Sequence, residues 1–210
     1  MSRNTKTRLL DEAEQLFADR GMDATSVRDV TNAAEANVAS VKFHFGNKQG
    51  LVTAVFLRRL RPLMEKRQQN LSDLRGRDVP PEVEDLLQAF LAPLIEMSRE
   101  TAPGTQAFLR LFARTLVEPA PFIEDVFLEE FGPYTQAYFQ AFAEVITHIP
   151  KSELADRLDF MIGTIGHALS DPVRRKLAHR TADGGGSNYD ENLLKHLIHF
   201  VLTGLTAPAA

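Results

Sequence analysis

Between Thr25 and Phe45 the chain carries two short helical patterns, each with a cap residue at its start and only a tight turn between them. A hydroxyl at Thr25 or Ser26 can accept a bond from an orphan N–H of the first helix, and Ser26 with Asp29 has the spacing of a capping box. Val27, Val30 and Ala34 then recur on one helical face. After a turn near Glu35 and Ala36, Asn37 is placed to cap a second helix whose apolar stripe is Val38, Val41 and Phe45. Ala39, Ser40, Lys42 and, near the end, His44 stand on its opposite face. The pair reads as a helix-turn-helix. Short polar side chains and a cation on an exposed helix are what the major groove of duplex DNA accepts, because bulkier groups hold a helix away from the base edges.

A helix from Thr5 to Arg20 precedes the pair, with Leu9, Leu10, Ala13, Leu16 and Phe17 on one face and Gly21 just past its end. That apolar face is predicted to pack on the helix-turn-helix; Arg3, Lys6 and Arg8 near its start read as solvated surface charge or as phosphate contacts. Gly46-Asn47-Lys48 closes the segment. Asn47 can cap a fourth helix, and Lys48 adds a charge where a helix N-terminus already favours an anion. The fourth helix carries Leu51, Val52, Val55, Phe56, Leu60 and Leu63, and Pro62 is expected to kink it or end its first part.

The segment from Thr5 to about Leu60 resembles the DNA-binding domain of the TetR family of bacterial one-component repressors. Arg8-Leu9-Leu10, Ala13-Glu14-Gln15-Leu16-Phe17-Ala18, Gly21, Thr25-Ser26-Val27-Arg28-Asp29-Val30, Ala34, Phe43-His44-Phe45-Gly46-Asn47-Lys48 and Gly50-Leu51 carry the likeness. The resemblance implies a pseudo-palindromic double-stranded operator. Ser40, Lys42 and His44 would lie near base edges or adjacent phosphates, and Thr25, Arg28, Asn47 and Lys48 would position the backbone. Ser26, Asn37, Ala39 and Phe43 complete the expected DNA-facing set. Three positions depart from the family pattern: Glu35 where glycine is frequent, Ala36 where valine is usual, and Phe43 or Lys42 where tyrosine usually touches a phosphate. A glutamate beside the DNA face repels phosphate and Phe43 has no hydroxyl to donate, while Lys42 restores an electrostatic contact.

Charge agrees with a polyanion at one end of the chain. Up to Asn70 there are 12 Lys and Arg against 8 Asp and Glu; from Leu71 onward the balance is 12 against 20. The 210 residues, 44% hydrophobic, can bury a substantial core. Cysteine is absent, which excludes disulfides, thiolate metal sites and a cysteine nucleophile and fits a cytoplasmic setting. No early apolar run resembles a signal peptide and none approaches the roughly 20 residues of a membrane span, so no membrane partner is expected.

Leu74 to Pro81, with Gly76 and a Pro-Pro pair, reads as a linker. Beyond it the pattern is helical throughout, with proline-marked starts: helices are expected near 82–99, 103–116, 121–131, 133–148, 152–180 and 190–205. Thr181 to Asn188, containing Gly184-Gly185-Gly186-Ser187, reads as a flexible surface loop, and the preceding Arg174-Arg175-Lys176 and Arg180 as surface charge. The expected fold is all-α: a helix-turn-helix domain over residues 1–50, joined by a long kinked helix to a ligand-binding and dimerisation body over 51–210.

The body is rich in aromatic residues, most of them expected in the core, Phe160 among them. Arg110, Arg114, Glu118, Gln136 and His167 interrupt the aromatic segments, as in an apolar cavity with a few orienting polar groups. The family resemblance implies a small-molecule effector. Phe90, Phe108, Phe112, Arg114, Tyr138, Phe142 and His167 are the candidate contacts, and the effector is expected to be mostly apolar. His196 and His199 share a helix face without a third ligand, so no metal or cofactor is expected. A helix apolar nearly all round needs cover on every side. Leu158, Ile162, Ile165 and Leu169, with Leu194, Leu197, Ile198 and Val201, are accordingly predicted to form a homodimer interface of four helices. These readings describe a ligand-released transcriptional repressor without enzymatic activity; the alternative is a helical small-molecule-binding protein or enzyme with no specific DNA binding.

Overall fold

A computed structural model describes residues 4–100, 102–115, 121–170 and 189–209. Arg3, Glu118, the Arg174-Arg175-Lys176 and Arg180 cluster and the GGGS segment lie outside these residues, as do the side chains of Phe122, Leu169 and Leu194. The described residues form helices α1 (Thr5–Arg20), α2 (Val27–Ala33), α3 (Val38–Phe45), α4 (Lys48–Arg75), α5 (Val83–Arg99), α6 (Pro103–Thr115), α7 (Pro121–Val145), α8 (Lys151–Ser170) and α9 (Tyr189–Thr206), with no strand among them. None of these helices is long and apolar enough to cross a membrane. The all-α expectation holds.

Two compact units result, one of Met1–Pro62 with Glu100–Glu129, the other of Leu63–Arg99 with Glu130–Ala210. This division differs from a boundary after residue 50. The reason lies in α6, which packs along α1. Asp19 near the end of α1 accepts from Arg110 of α6 at 3.0 Å. In the same unit Glu14 of α1, fully buried, accepts from both Arg58 and Arg59 of α4 at 2.6 and 2.8 Å. Arg59 also reaches Thr105 Oγ1 of α6 at 3.4 Å. Glu14 as partner holds the Arg59 guanidinium above its ordinary value. A charge network thus stitches three helices around Leu9, Phe17, Val55 and Phe56, all buried.

Prolines fall inside helices where the sequence suggested breaks. Helix α4 runs unbroken through Pro62, and α7 is one helix through Pro133 where two were expected. A proline removes one backbone bond and crowds one carbonyl, at about 3 kcal/mol. Burial of Leu60 and Leu63 beside Pro62, and of Phe131 and Tyr138 beside Pro133, offsets that cost. Pro93 in α5 shows how the freed carbonyls are served: Asn70 donates to Ala89 O at 3.0 Å, four residues ahead of the proline, and Arg67 Nε donates to Phe90 O at 2.8 Å. The Arg67 guanidinium lies 3.6 Å over the Phe90 ring and is buried, which pushes its pKa down to about 10. Tyr138, pushed up to about 12 by burial, donates to Arg67 O at 2.8 Å.

In the second unit α9 packs on α5 and α8. Its C-terminal carbonyls are gathered by Arg157 of α8, which donates to Gly204 O, Ala207 O and Pro208 O at 2.9, 2.7 and 2.6 Å. A cation at a helix C-terminus meets both the orphan carbonyls and the negative end of the dipole.

Candidate DNA-binding site

The helix-turn-helix is held by local bonds that the sequence spells out. Ser26 is the N-cap of α2: its Oγ accepts from Asp29 N at 3.1 Å while Asp29 Oδ2 accepts from Ser26 N at 2.8 Å. The Ser26 bonds hold the Asp29 carboxyl below its ordinary value. This capping contribution is therefore present above the unfolded-state pKa and is lost as pH falls through the lower folded one. Asn37 caps α3 by accepting from Ala39 N at 2.9 Å, and Gly46, at φ +78, ends it. Asn47 Oδ1 accepts from Gly50 N at 2.8 Å in the first turn of α4. A Cβ on Gly50 would fall 2.0 Å from the backbone oxygen of Phe45, so only glycine lets α4 begin this close to the end of α3.

Glu35 makes the turn between α2 and α3 at φ +48, the only non-glycine residue with positive φ among the described residues. An L side chain there costs roughly 1 kcal/mol. Arg8 of α1 reaches the Glu35 carbonyl at 3.5 Å, so it supports the turn. Glu35→Gly is expected to raise stability by up to about 1 kcal/mol, with the gain reduced by glycine's greater freedom in the unfolded chain. The denaturant midpoint should rise; a lower one would mean that Glu35 makes a stabilising contact that outweighs its strain.

Of the expected DNA-facing residues, Ser26, Arg28, Asn37, Ala39, Lys42, Phe43 and Asn47 are exposed, and Ser40, His44 and Lys48 are half-buried. Lys48 Nζ donates to Asp23 O at 3.3 Å, which fixes the ammonium beside the start of α4 and leaves it further N–H groups. Thr25 is not brought to the surface. Its side chain is buried, donating to Gly21 O at 2.8 Å, and it serves the loop between α1 and α2. Val38 also departs from expectation: only Val41 of the predicted stripe is buried, while Val38 is 47% and Phe43 84% exposed. An eight-residue helix has one narrow inner face, and Val41 and Ala34 fill the space against α1 and α2.

The candidate effector residues do not gather in one unit. Phe108 and Phe112 of α6 join Phe56 and Phe127, with Phe56 and Phe108 edge-on at 5.9 Å. Arg114 lies against Gly21 at the end of α1, near enough that a Cβ on Gly21 would come 3.0 Å from its Nη2. Phe90, Tyr138 and Phe142 form a separate cluster in the second unit, with Phe90 and Tyr138 edge-on at 5.1 Å, and His167 is exposed on α8. Packing against α6 is a tertiary fact with no local signal.

The proposed dimer residues divide as well. Ile165, Leu197 and Val201 are already buried within the chain, where α9 packs on α5 and α8, and Leu158, Ile162 and Ile198 are half-buried. Among the described residues of this pair, the large apolar side chains left exposed are Phe160, 68% exposed, and Phe200, 66% exposed. Phe160, counted among the core aromatics from the sequence, is thus outside the core, and neither ring was among the residues predicted for the interface. They flank a groove of about 600 Å³ that also includes Arg157, Met161, Thr164 and His199.

A capped helix pair crossed by α1, with the outer face of the second helix open, defines a helix-turn-helix protein. The chain belongs to the TetR family: residues 9–55 match the family model for bacterial regulatory proteins of the tetR family, and residues 88–204, more than half the chain, match that for the tetracyclin repressor-like C-terminal domain. Curated relatives match over the head. The HTH-type transcriptional repressor KstR2 of Rhodococcus jostii is 44% identical over 50 residues, and the probable HTH-type transcriptional regulator YttP of Bacillus subtilis is 36% identical over 52. These matches span about a quarter of this chain and of each relative. Among solved structures, the fatty acid degradation regulator FadR from Bacillus halodurans superposes with a TM-score of 0.65 at 13% identity, over 98% of both chains. NalD of Pseudomonas aeruginosa, described as the secondary repressor of a multidrug efflux pump, superposes with a TM-score of 0.61 at 19% identity, covering 95% of this chain and 94% of its own. These likenesses establish the shared fold.

Proposed function

We propose that the protein is a sequence-specific, DNA-binding transcriptional regulator: a cytoplasmic homodimer, not an enzyme, that represses by occupying a two-fold operator and is released by a mostly apolar small molecule. The observation that carries this reading is the open face of α3, where Ala39, Lys42 and Phe43 stand exposed, with the Lys48 ammonium fixed beside the start of α4. Repression is favoured by the relatives, several of which are named repressors. The aromatic cluster of Phe90, Tyr138 and Phe142 in the second unit favours an apolar effector, which shifts the DNA-binding equilibrium only by its difference in affinity for the two conformations of the protein. A selection of bound sequences from a genomic DNA pool tests the reading. It should recover pseudo-palindromic sites bound with steep salt dependence; weak binding without sequence preference would instead mark a helical protein that works without DNA.

Lys48→Ala is expected to weaken all sites alike and to lower the slope of log affinity against log salt by roughly 1 per subunit. A titration at several salt concentrations checks this. Unchanged affinity at low salt would remove Lys48 from the phosphate contacts.

A further inference from the structure

The outward face of α3 is more apolar than phosphate contact requires. Ala39 and Phe43 are four residues apart and share one exposed stripe, with Val38 and Lys42 on the next. The Phe43 ring is 84% exposed, and it is steadied by His44, whose ring meets it edge-on at 4.9 Å with an interplanar angle of 77°. Lys42 and Lys48 supply cations to the same surface, whereas Phe43 has no donor for a phosphate oxygen. The apolar group that base pairs offer in the major groove is the 5-methyl of thymine.

Resting on the DNA-binding reading above, we propose that Phe43 is a specificity-determining residue that reads a thymine through its 5-methyl group in each operator half-site. Ala39, one turn earlier on the stripe, leaves room for the bases there to approach the helix. Lys42 takes an adjacent phosphate and holds the helix at that depth. Phe43 thereby contributes sequence preference with no share in the salt dependence, and Lys42 contributes the reverse.

The test uses the full chain and an operator obtained by selection. Each thymine is replaced in turn by deoxyuridine, which removes the methyl group and keeps every hydrogen-bonding group. One symmetry-related pair of positions should respond, by about fourfold for one half-site and roughly fifteenfold for both, as follows from about 0.8 kcal/mol per buried methyl-sized group. Phe43→Ala should bind the thymine operator more weakly with an unchanged salt slope and unchanged unfolding midpoint, and should no longer distinguish thymine from deoxyuridine. Lys42→Ala should lower the salt slope and keep the distinction. A scan in which no thymine responds, or a response that survives in Phe43→Ala, overturns the proposal while leaving DNA binding intact. Recovery of no preferred sequence at all overturns the DNA-binding reading and this inference together.

Discussion

Replacing Phe160 and Phe200 together by Asp is expected to yield a folded monomer that has lost specific operator binding. Both rings lie about two-thirds exposed, one on α8 and one on α9, at 68% and 66%. The groove they flank is lined further by Met161, Val201 and Leu205. Because Ile165, Leu197 and Val201 are already buried inside the subunit, where α9 packs on α5 and α8, Asp at the exposed positions leaves that packing alone. Asp at Ile165 or Val201 would instead strike the core of the subunit and could not separate dissociation from unfolding. In a two-fold dimer each substitution occurs twice. Burying such rings is worth about 2 kcal/mol apiece, reduced by the third already covered, so the pair should weaken association by on the order of 5 kcal/mol. A two-fold operator needs two heads, and the monomer should fall towards non-specific affinity, a loss of roughly a thousandfold or more. Sedimentation at micromolar concentration and operator titration are the measurements. A double variant that still sediments as a dimer, or a wild-type chain that sediments as a monomer, would sink the proposed interface.

Glu14→Ala is expected to be strongly destabilising for the head. The carboxylate is fully buried and accepts from Arg58 and Arg59, which are each about a quarter exposed, while Arg58 also holds Asp11 at 2.7 Å. Removing one member of a buried ion network leaves the opposite charges uncompensated. Partial exposure lets water relieve the two guanidinium groups, so the expected loss is about 3 kcal/mol, near the low end for buried networks. The start of α6 leaves no slack, since a Cβ on Gly104 would lie 2.6 Å from Arg59 Nη2 and 2.7 Å from Glu14 Oε1. Glu14→Gln keeps the volume and should still lose most of the stability, because an amide cannot balance two cations. Urea denaturation of both variants measures the effect. A loss below 1 kcal/mol in Glu14→Ala would show that α1, α4 and α6 are held by apolar packing alone.

The sequence by itself determined the local architecture of the head. Ser26 with Asp29, Asn37, Gly21 and Gly46 are cap residues whose chemistry acts over three or four positions, and they fixed the limits of α1, α2 and α3 to within a residue. The helical period likewise located α5 and α6 and most of α8 and α9. Local rules misjudged Pro133, because a proline's cost is local while the burial that offsets it comes from distant residues. Only the tertiary structure decided which apolar residues stay outside. Phe43, Phe160 and Phe200 have the same side chain as buried Phe17, Phe108 and Phe142, and no spacing rule separates them. Nor could periodicity assign α6 to the unit of the head, or place Glu14 between two arginines more than forty residues away. Burial is a property of what packs on a face from elsewhere in the chain; a helical pattern states only that the face exists.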